Sequence, residues 1–271
     1  MKDIYIRTLT GIVFLIIVIG SILLDPLAFL LVFSVFNFIG LKEFFRLSNS
    51  ANNLTSKPTI EYYVFGMLIY FIIGLSGIGY IDVRYNAIIF VILFIQIAIE
   101  LYRNNPQWKN IATLITGYIY IALPFGLMNS LFYTGAIDTS QSGLLIGLFV
   151  LIWTSDVFAY LTGNLFGKHK LMERISPKKT WEGSIGGLIF ALIAAYVLSL
   201  FVTQLNIVEW ISLSIIVVIS GTLGDLVESL LKRNAGVKDS GTIFPGHGGV
   251  LDRFDAVIFA TPMAFVFINL I

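Results

Sequence analysis

Cysteine is absent from the 271 residues, which excludes disulfides, thiolate metal sites and a cysteine nucleophile. Histidine is scarce: His169 and His247 are the only two, and no Ser–His–acid triad is evident. Charge is scarce as well. Asp, Glu, Lys and Arg make up 12% of the chain, about half of the ~25% usual in soluble domains. That deficit excludes a water-soluble globule of this size. The net charge is only +1, so bulk electrostatics predicts no nucleic-acid partner. Internal repeats and low-complexity tracts are missing. So are the short alternating segments that a membrane β-barrel requires.

What fills the chain is apolar: 57% of it, with a mean hydropathy of +0.90. Runs of about 20 apolar residues, enough to cross a ~30 Å hydrocarbon core, recur throughout. The fold class expected is therefore all-α, a polytopic integral membrane protein with about nine transmembrane helices. They fall near 8–24, 27–44, 60–79, 86–102, 110–133, 142–163, 184–203, 208–230 and 251–270. Lys2 and Arg7 before the first run imitate a signal peptide, but no small-residue cleavage site follows, and 8–24 is read as a retained span. Asp25-Pro26, the polar run Ser48–Pro58, Asn104-Asn105-Pro106 and Thr139–Ser142 mark breaks. The spans of residues 1–140 carry little polar content, whereas long charged loops interrupt 141–271. The first part is read as N-terminal transmembrane helices and the second as the catalytic region.

Orientation follows from the short loops. With the N-terminus inside, Arg84 alone of the 17 Lys and Arg residues falls outside. A cell-membrane, multi-pass protein is expected, with both charged loops of the second half in the cytoplasm, where nucleotides are, and the C-terminus on the opposite face. The Asn53-Leu54-Thr55 glycosylation sequon then faces the cytoplasm and is discarded.

The first polar cluster, Ser155–Gly187, begins with Asp156 inside the sixth span. Burying an ionisable group there costs about 2.5–3.5 kcal/mol on insertion scales, which usually signals function. Lys168, Lys170, Lys178 and Lys179 follow it. Ser176-Pro177 is expected to start a turn or helix whose free N–H groups welcome an anion. The alternative is that these lysines only satisfy the positive-inside bias. Gly183, Gly186 and Gly187 are expected to permit close helix packing.

The second cluster is denser. Asp225, Glu228, Ser229 and Lys232 stand at i, i+3, i+4 and i+7 and share one helical face. Asp252 and Asp255 open the ninth span. Between them lies the turn Phe244-Pro245-Gly246-His247-Gly248-Gly249, which could bring the two helix ends together. Carboxylate oxygens completed by water and phosphate oxygens suit Mg²⁺. Neighbouring lysines would neutralise a polyphosphate that glycine N–H groups approach closely. An interfacial ion-pair network is the competing reading, above all for Glu228 taken singly. His247 could bind phosphate or make a structural hydrogen bond.

These residues resemble the phosphatidate cytidylyltransferase (CDP-diacylglycerol synthase) family. The resemblance rests on Ser229, Lys232-Arg233, Lys238-Asp239-Ser240-Gly241, Pro245-Gly246-His247-Gly248-Gly249 and Asp252-Arg253-Phe254-Asp255. Upstream, Ser155-Asp156, Phe166-Gly167 and Ser176–Gly183 also match. The match covers roughly the last 120 residues; the first 150 agree only in being several hydrophobic spans. It implies the reaction of CTP with phosphatidate, a membrane lipid, to give CDP-diacylglycerol and pyrophosphate. It further implies Mg²⁺ held by Asp225 and Asp252 with Asp255 contributing, a second cation such as K⁺ nearby, and a homodimer. Lys232 and Arg233 join Asp225 and Asp252 as catalytic candidates. Ser176, Lys178, Lys179, Ser229, Lys238, His247, Gly248 and Gly249 are the candidates for binding the triphosphate and the lipid phosphate.

Two other classes compete. A transporter would use Asp156 and Asp225 as ion sites, but it would often show internal repeats and polar residues in both halves. A CTP-using lipid kinase would release CDP rather than pyrophosphate.

Overall fold

The computed structural model describes residues 2–52, 58–104, 106–132 and 142–271. The sequon at 53–55 and the boundary drawn at 140/141 lie outside the described residues. Ten α-helices dominate among the described residues. They are α1 (Lys2–Leu24), α2 (Pro26–Asn52), α3 (Ile60–Gly77), α4 (Ile88–Leu101), α5 (Trp108–Gly117), α6 (Leu123–Met128), α7 (Gly143–Phe166), α8 (Trp181–Phe201), α9 (Ile207–Asn234) and α10 (Leu251–Leu270). Seven stretches among the described residues are long and apolar enough to cross a membrane: α2, α3, Val83–Leu101, Trp108–Leu131, α7, α8 and α9. The protein is an all-α polytopic membrane protein. The apolar part of α1, Thr8–Leu24, falls short of the span length, and α10 carries Asp252, Arg253 and Asp255 in its first turns.

Two helices outrun their apolar runs. Once outside hydrocarbon, polar side chains are solvated while the helix still satisfies the backbone, so α2 continues to Asn52 and α9 to Asn234. Gly236, at φ 70°, ends α9: its N–H bonds to the Arg233 carbonyl at 3.1 Å and that of Val237 to Lys232 at 3.0 Å. A left-handed residue is needed there, and glycine takes that conformation without strain. The span Trp108–Leu131 is one interrupted helix, with a π turn at Tyr118–Ala122 before Pro124. Proline lacks an N–H and crowds the carbonyl four residues back, which widens the turn.

The chain divides into two compact units, Met1–Ala136 with Leu231–Phe254, and Ile137–Leu230 with Asp255–Ile271. The first has an aromatic core. Phe29 stacks on Phe33 at 3.9 Å, and Phe254 meets Phe14, Phe33, Phe36 and Phe125 at 5.2–5.6 Å. Its carboxylate Glu100, at the end of α4, is fully buried and is met by Tyr62 Oη (2.8 Å), Asn110 Nδ2 (2.6 Å) and Arg103 Nε (2.7 Å). Arg103 also pairs with Glu61 at 2.5 Å, so this network clamps α3, α4 and α5.

The second unit is built on α7 against α8. Gly183, Gly186 and Gly187 abut Ala159, Thr162 and Ser155, where any Cβ would collide. The close packing expected of these glycines is present, and Phe158 stacks on Phe190 at 3.6 Å. Ile185, Ile189 and Ile193 form an outward apolar stripe on α8. Between α7 and α8 lies an antiparallel hairpin, β1 (Lys170–Met172) with β2 (Ser176–Thr180). The turn or helix expected to start at Ser176-Pro177 is thus a strand. Helix begins only at Trp181, where the Thr180 hydroxyl accepts the Gly183 N–H at 3.1 Å; serine before proline is pushed toward extended backbone.

Candidate active site

In the second unit α9 places Asp225, Glu228 and Ser229 on one face, and α10 adds Asp255. The helices meet closely because Gly221 faces Ala256 and Gly224 faces the Asp255 carbonyl. One carboxylate oxygen each from Asp225, Glu228 and Asp255 lies within 4.8 Å of the other two. Glu228 is fully buried. At an effective dielectric near 20, two full charges at that spacing repel by about 3 kcal/mol. Three such groups call for counter-charge, from protons, a metal ion or cationic side chains. Lys179, from β2, forms an ion pair with Asp225. Ser229 Oγ donates to Asp225 Oδ1 at 3.2 Å, and Asp255 Oδ1 accepts the Ala256 N–H at 2.7 Å. Asp156, on α7, lies within electrostatic reach of Asp255. The donor set is all oxygen and hard, which fits Mg²⁺ rather than a softer metal.

The rest of the hairpin is more open. Ser176 is half-buried and Lys178 exposed. Glu182 accepts the backbone N–H groups of Lys168 (3.1 Å) and His169 (3.2 Å) and pairs with His169 Nδ1 at 2.6 Å. These contacts tie the loop before β1 to the start of α8.

In the first unit the glycine-rich turn is drawn around Asp252. Lys232 Nζ donates to Asp252 Oδ1 at 2.7 Å, both side chains being about nine-tenths buried. Oδ2 accepts the N–H of Ser240 (2.7 Å), the N–H of Gly249 (2.8 Å) and lies 2.8 Å from Ser240 Oγ. Gly246 and Gly248 have φ of 75° and 82°, where other residues would be strained. Phe244 N–H bonds to the Gly248 carbonyl at 3.0 Å and His247 N–H to Phe244 at 2.8 Å, closing the turn. The Gly249 N–H, expected at a phosphate, is thus engaged by Asp252. His247 is half-buried with its ring near Gly11 of α1. Arg233 Nη1 donates to the Val237 carbonyl at 3.1 Å, and Arg233 and Lys238 are exposed.

Three features were not legible beforehand. Glu228 joins Asp225 and Asp255, a partnership its helical spacing allows but does not single out. Ser240 contacts Asp252. Glu43, far upstream on α2, reaches the same turn, with Oε2 3.0 Å from Ser240 Oγ.

Fold and site together define an integral membrane protein with a cation-competent carboxylate cluster, an adjoining basic hairpin and a lysine held by a buried aspartate. The cytidylyltransferase family pattern matches residues 5–271. The chain is 36% identical to the phosphatidate cytidylyltransferases of Staphylococcus saprophyticus and Staphylococcus haemolyticus and 35% identical to that of Staphylococcus aureus. Each alignment covers 95% of this chain and 96% of the relative. This chain therefore belongs to the cytidylyltransferase family, and the likeness extends across the first 150 residues as well as the last 120.

Proposed function

We propose that this chain is a phosphatidate cytidylyltransferase, moving CMP from CTP to phosphatidate to form CDP-diacylglycerol and pyrophosphate in phospholipid biosynthesis. The observation that carries the reading is the near full-length identity to relatives of that name, with the polar motifs intact.

A phosphate oxygen of phosphatidate attacks the α-phosphorus of CTP, and the bond from that phosphorus to the β-phosphate bridging oxygen breaks, releasing pyrophosphate. The lipid phosphate is already anionic near neutral pH, so a strong general base is not required. The protein's contribution is positioning and charge neutralisation. Asp225, Glu228 and Asp255 would hold Mg²⁺. When bound, Mg²⁺ polarises the α-phosphate and offsets charge on the leaving group. Lys179, fixed by Asp225, and Lys178, Lys232, Lys238 and Arg233 supply positive charge for the triphosphate and lipid phosphate. Ser229 orients Asp225. Asp252 holds Lys232 at the turn; it was expected from the sequence as a metal ligand, and a Mg²⁺ titration of its Asn variant decides between the two roles. A second cation such as K⁺ near the carboxylates, and a homodimer, remain expectations of the resemblance, tested by ion replacement and by light scattering.

With purified protein, CTP and phosphatidate, pyrophosphate release is the expected result. CDP release would identify a kinase, and neither product a transporter. The orientation proposed is N-terminus and polar loops cytoplasmic, with α1 and α10 completing nine spans. Reporters fused at Ile271 and within 164–182 should then land on opposite faces.

A further inference from the structure

α10 begins without a residue able to cap it. Val250 supplies the first helical carbonyl, accepting the N–H of Phe254 at 3.1 Å and of Arg253 at 3.0 Å. Its own side chain has no oxygen, and Gly249 before it has no side chain at all. The free N–H groups of a helix start need an acceptor when buried. Here the acceptor comes from another helix. Glu43 of α2, 6% exposed, takes the Val250 N–H on Oε1 at 3.1 Å and the Leu251 N–H on Oε2 at 3.0 Å. Oε2 also lies 3.0 Å from Ser240 Oγ. One turn along α2, Arg46 donates to the Ser240 carbonyl.

Ser240 is fully buried and stands between two carboxylates. Its hydroxyl has one proton and faces Glu43 Oε2 and Asp252 Oδ2 at 3.0 and 2.8 Å, while accepting the Asp252 N–H at 3.3 Å. Asp252 in turn holds Lys232. Glu43 is thus three side-chain contacts from that ammonium group. Gly241 and Gly249 leave the room that Glu43 occupies; a Cβ on either would strike its carboxylate. A helix-start carboxylate is also favoured by the helix dipole.

We propose that Glu43 is a positioning residue for nucleotidyl transfer: it caps α10 from α2 and, through Ser240, sets the Asp252–Lys232 pair. This rests on the reading above that Lys232 serves the reaction. Misplacing a reacting group by ~1 Å can cost about a hundredfold in rate.

Glu43→Gln keeps the size but turns one carboxylate oxygen into an NH₂ donor, so one of the two backbone N–H groups loses its acceptor. In the full-length protein, in lipid, it should lower kcat by about ten- to a hundredfold while the KM for CTP changes less than about threefold. Hydrogen exchange at the Val250 and Leu251 amides should accelerate, a readout independent of any activity. Asp252→Asn added to Glu43→Gln should cost less than the product of the two single effects, since both act through one chain of contacts. Glu61→Gln, which breaks the Arg103 pair, is the control: it should lower thermal stability without the loss in kcat. Glu43→Asp, which keeps the charge but is one methylene shorter, should reproduce the exchange and kcat changes in weaker form, and it decides alone if Glu43→Gln does not fold. Unchanged amide exchange overturns the proposal. So does a kcat loss no greater than that of Glu61→Gln at matched stability, or fully multiplicative effects with Asp252→Asn. If the parent protein releases no pyrophosphate, the catalytic reading fails, while the exchange result still judges the cap.

Discussion

Two acidic groupings in this chain invite comparison. Around Asp252 and Glu43, in the first unit, backbone N–H groups, a serine hydroxyl and a lysine meet the carboxylate oxygens. Around Asp225, Glu228 and Asp255, in the second, carboxylates come within 4.8 Å of one another. In the first, negative charge is answered by fixed donors and the glycine turn is held in shape. In the second, Lys179, Ser229 and a local N–H are among the groups that meet it, and the acids face one another. Partners, rather than the acids themselves, separate a carboxylate that shapes a loop from one suited to a cation. Glu100, also met by donors and also buried, falls with the first kind and clamps helices together.

The largest effect that would break this contrast is expected at Asp225. Asp225→Asn should insert normally, because a neutral group at that depth costs less than a carboxylate, and lose on the order of 10²–10³ in activity. Excess Mg²⁺ should restore part of it, read as pyrophosphate release across a Mg²⁺ titration. Near-normal turnover at limiting Mg²⁺ would reduce the cluster to ion-pair partners. Asp252→Asn should lose less, about 10–10², and Mg²⁺ should not restore it, because the damage is to Lys232 and the turn. Recovery with Mg²⁺ would return Asp252 to the metal, as the sequence suggested, and blur the two groupings. Lys179→Ala should cost about tenfold in kcat/KM. A rise in KM for CTP would mark uniform binding, and a fall in kcat a contact strengthened in the transition state; no change in either would leave Lys179 as a topology signal. The smallest effect is expected at Thr180→Ala, which removes the cap of α8 and should lower stability by about 1 kcal/mol, measured by thermal unfolding in detergent with kcat nearly unchanged.

Much of this was legible in the sequence because it depends on local chemistry. Apolar runs specify membrane helices wherever water cannot satisfy the backbone. The spacing of Asp225, Glu228, Ser229 and Lys232 gives one helix face by geometry alone, and the glycines of Gly246–Gly249 announce a turn that other residues could not make. Ser176–Thr180 was misread because proline after serine is equally at home in an extended strand and at a turn, and only pairing with Lys170–Met172 selects the strand.

By itself the sequence determined that the protein is helical and membrane-bound, and that its chemistry-bearing residues are acids and lysines concentrated in the second half. Tertiary structure alone decided how they are divided. Glu43 lies 197 residues from Ser240 in the chain, and no periodicity reaches across such a distance. Whether Glu228 joins a cluster, or Asp252 is saturated by N–H donors, depends on which backbones approach closely enough to offer a hydrogen bond. That is a property of packing between helices, not of the order of residues within one.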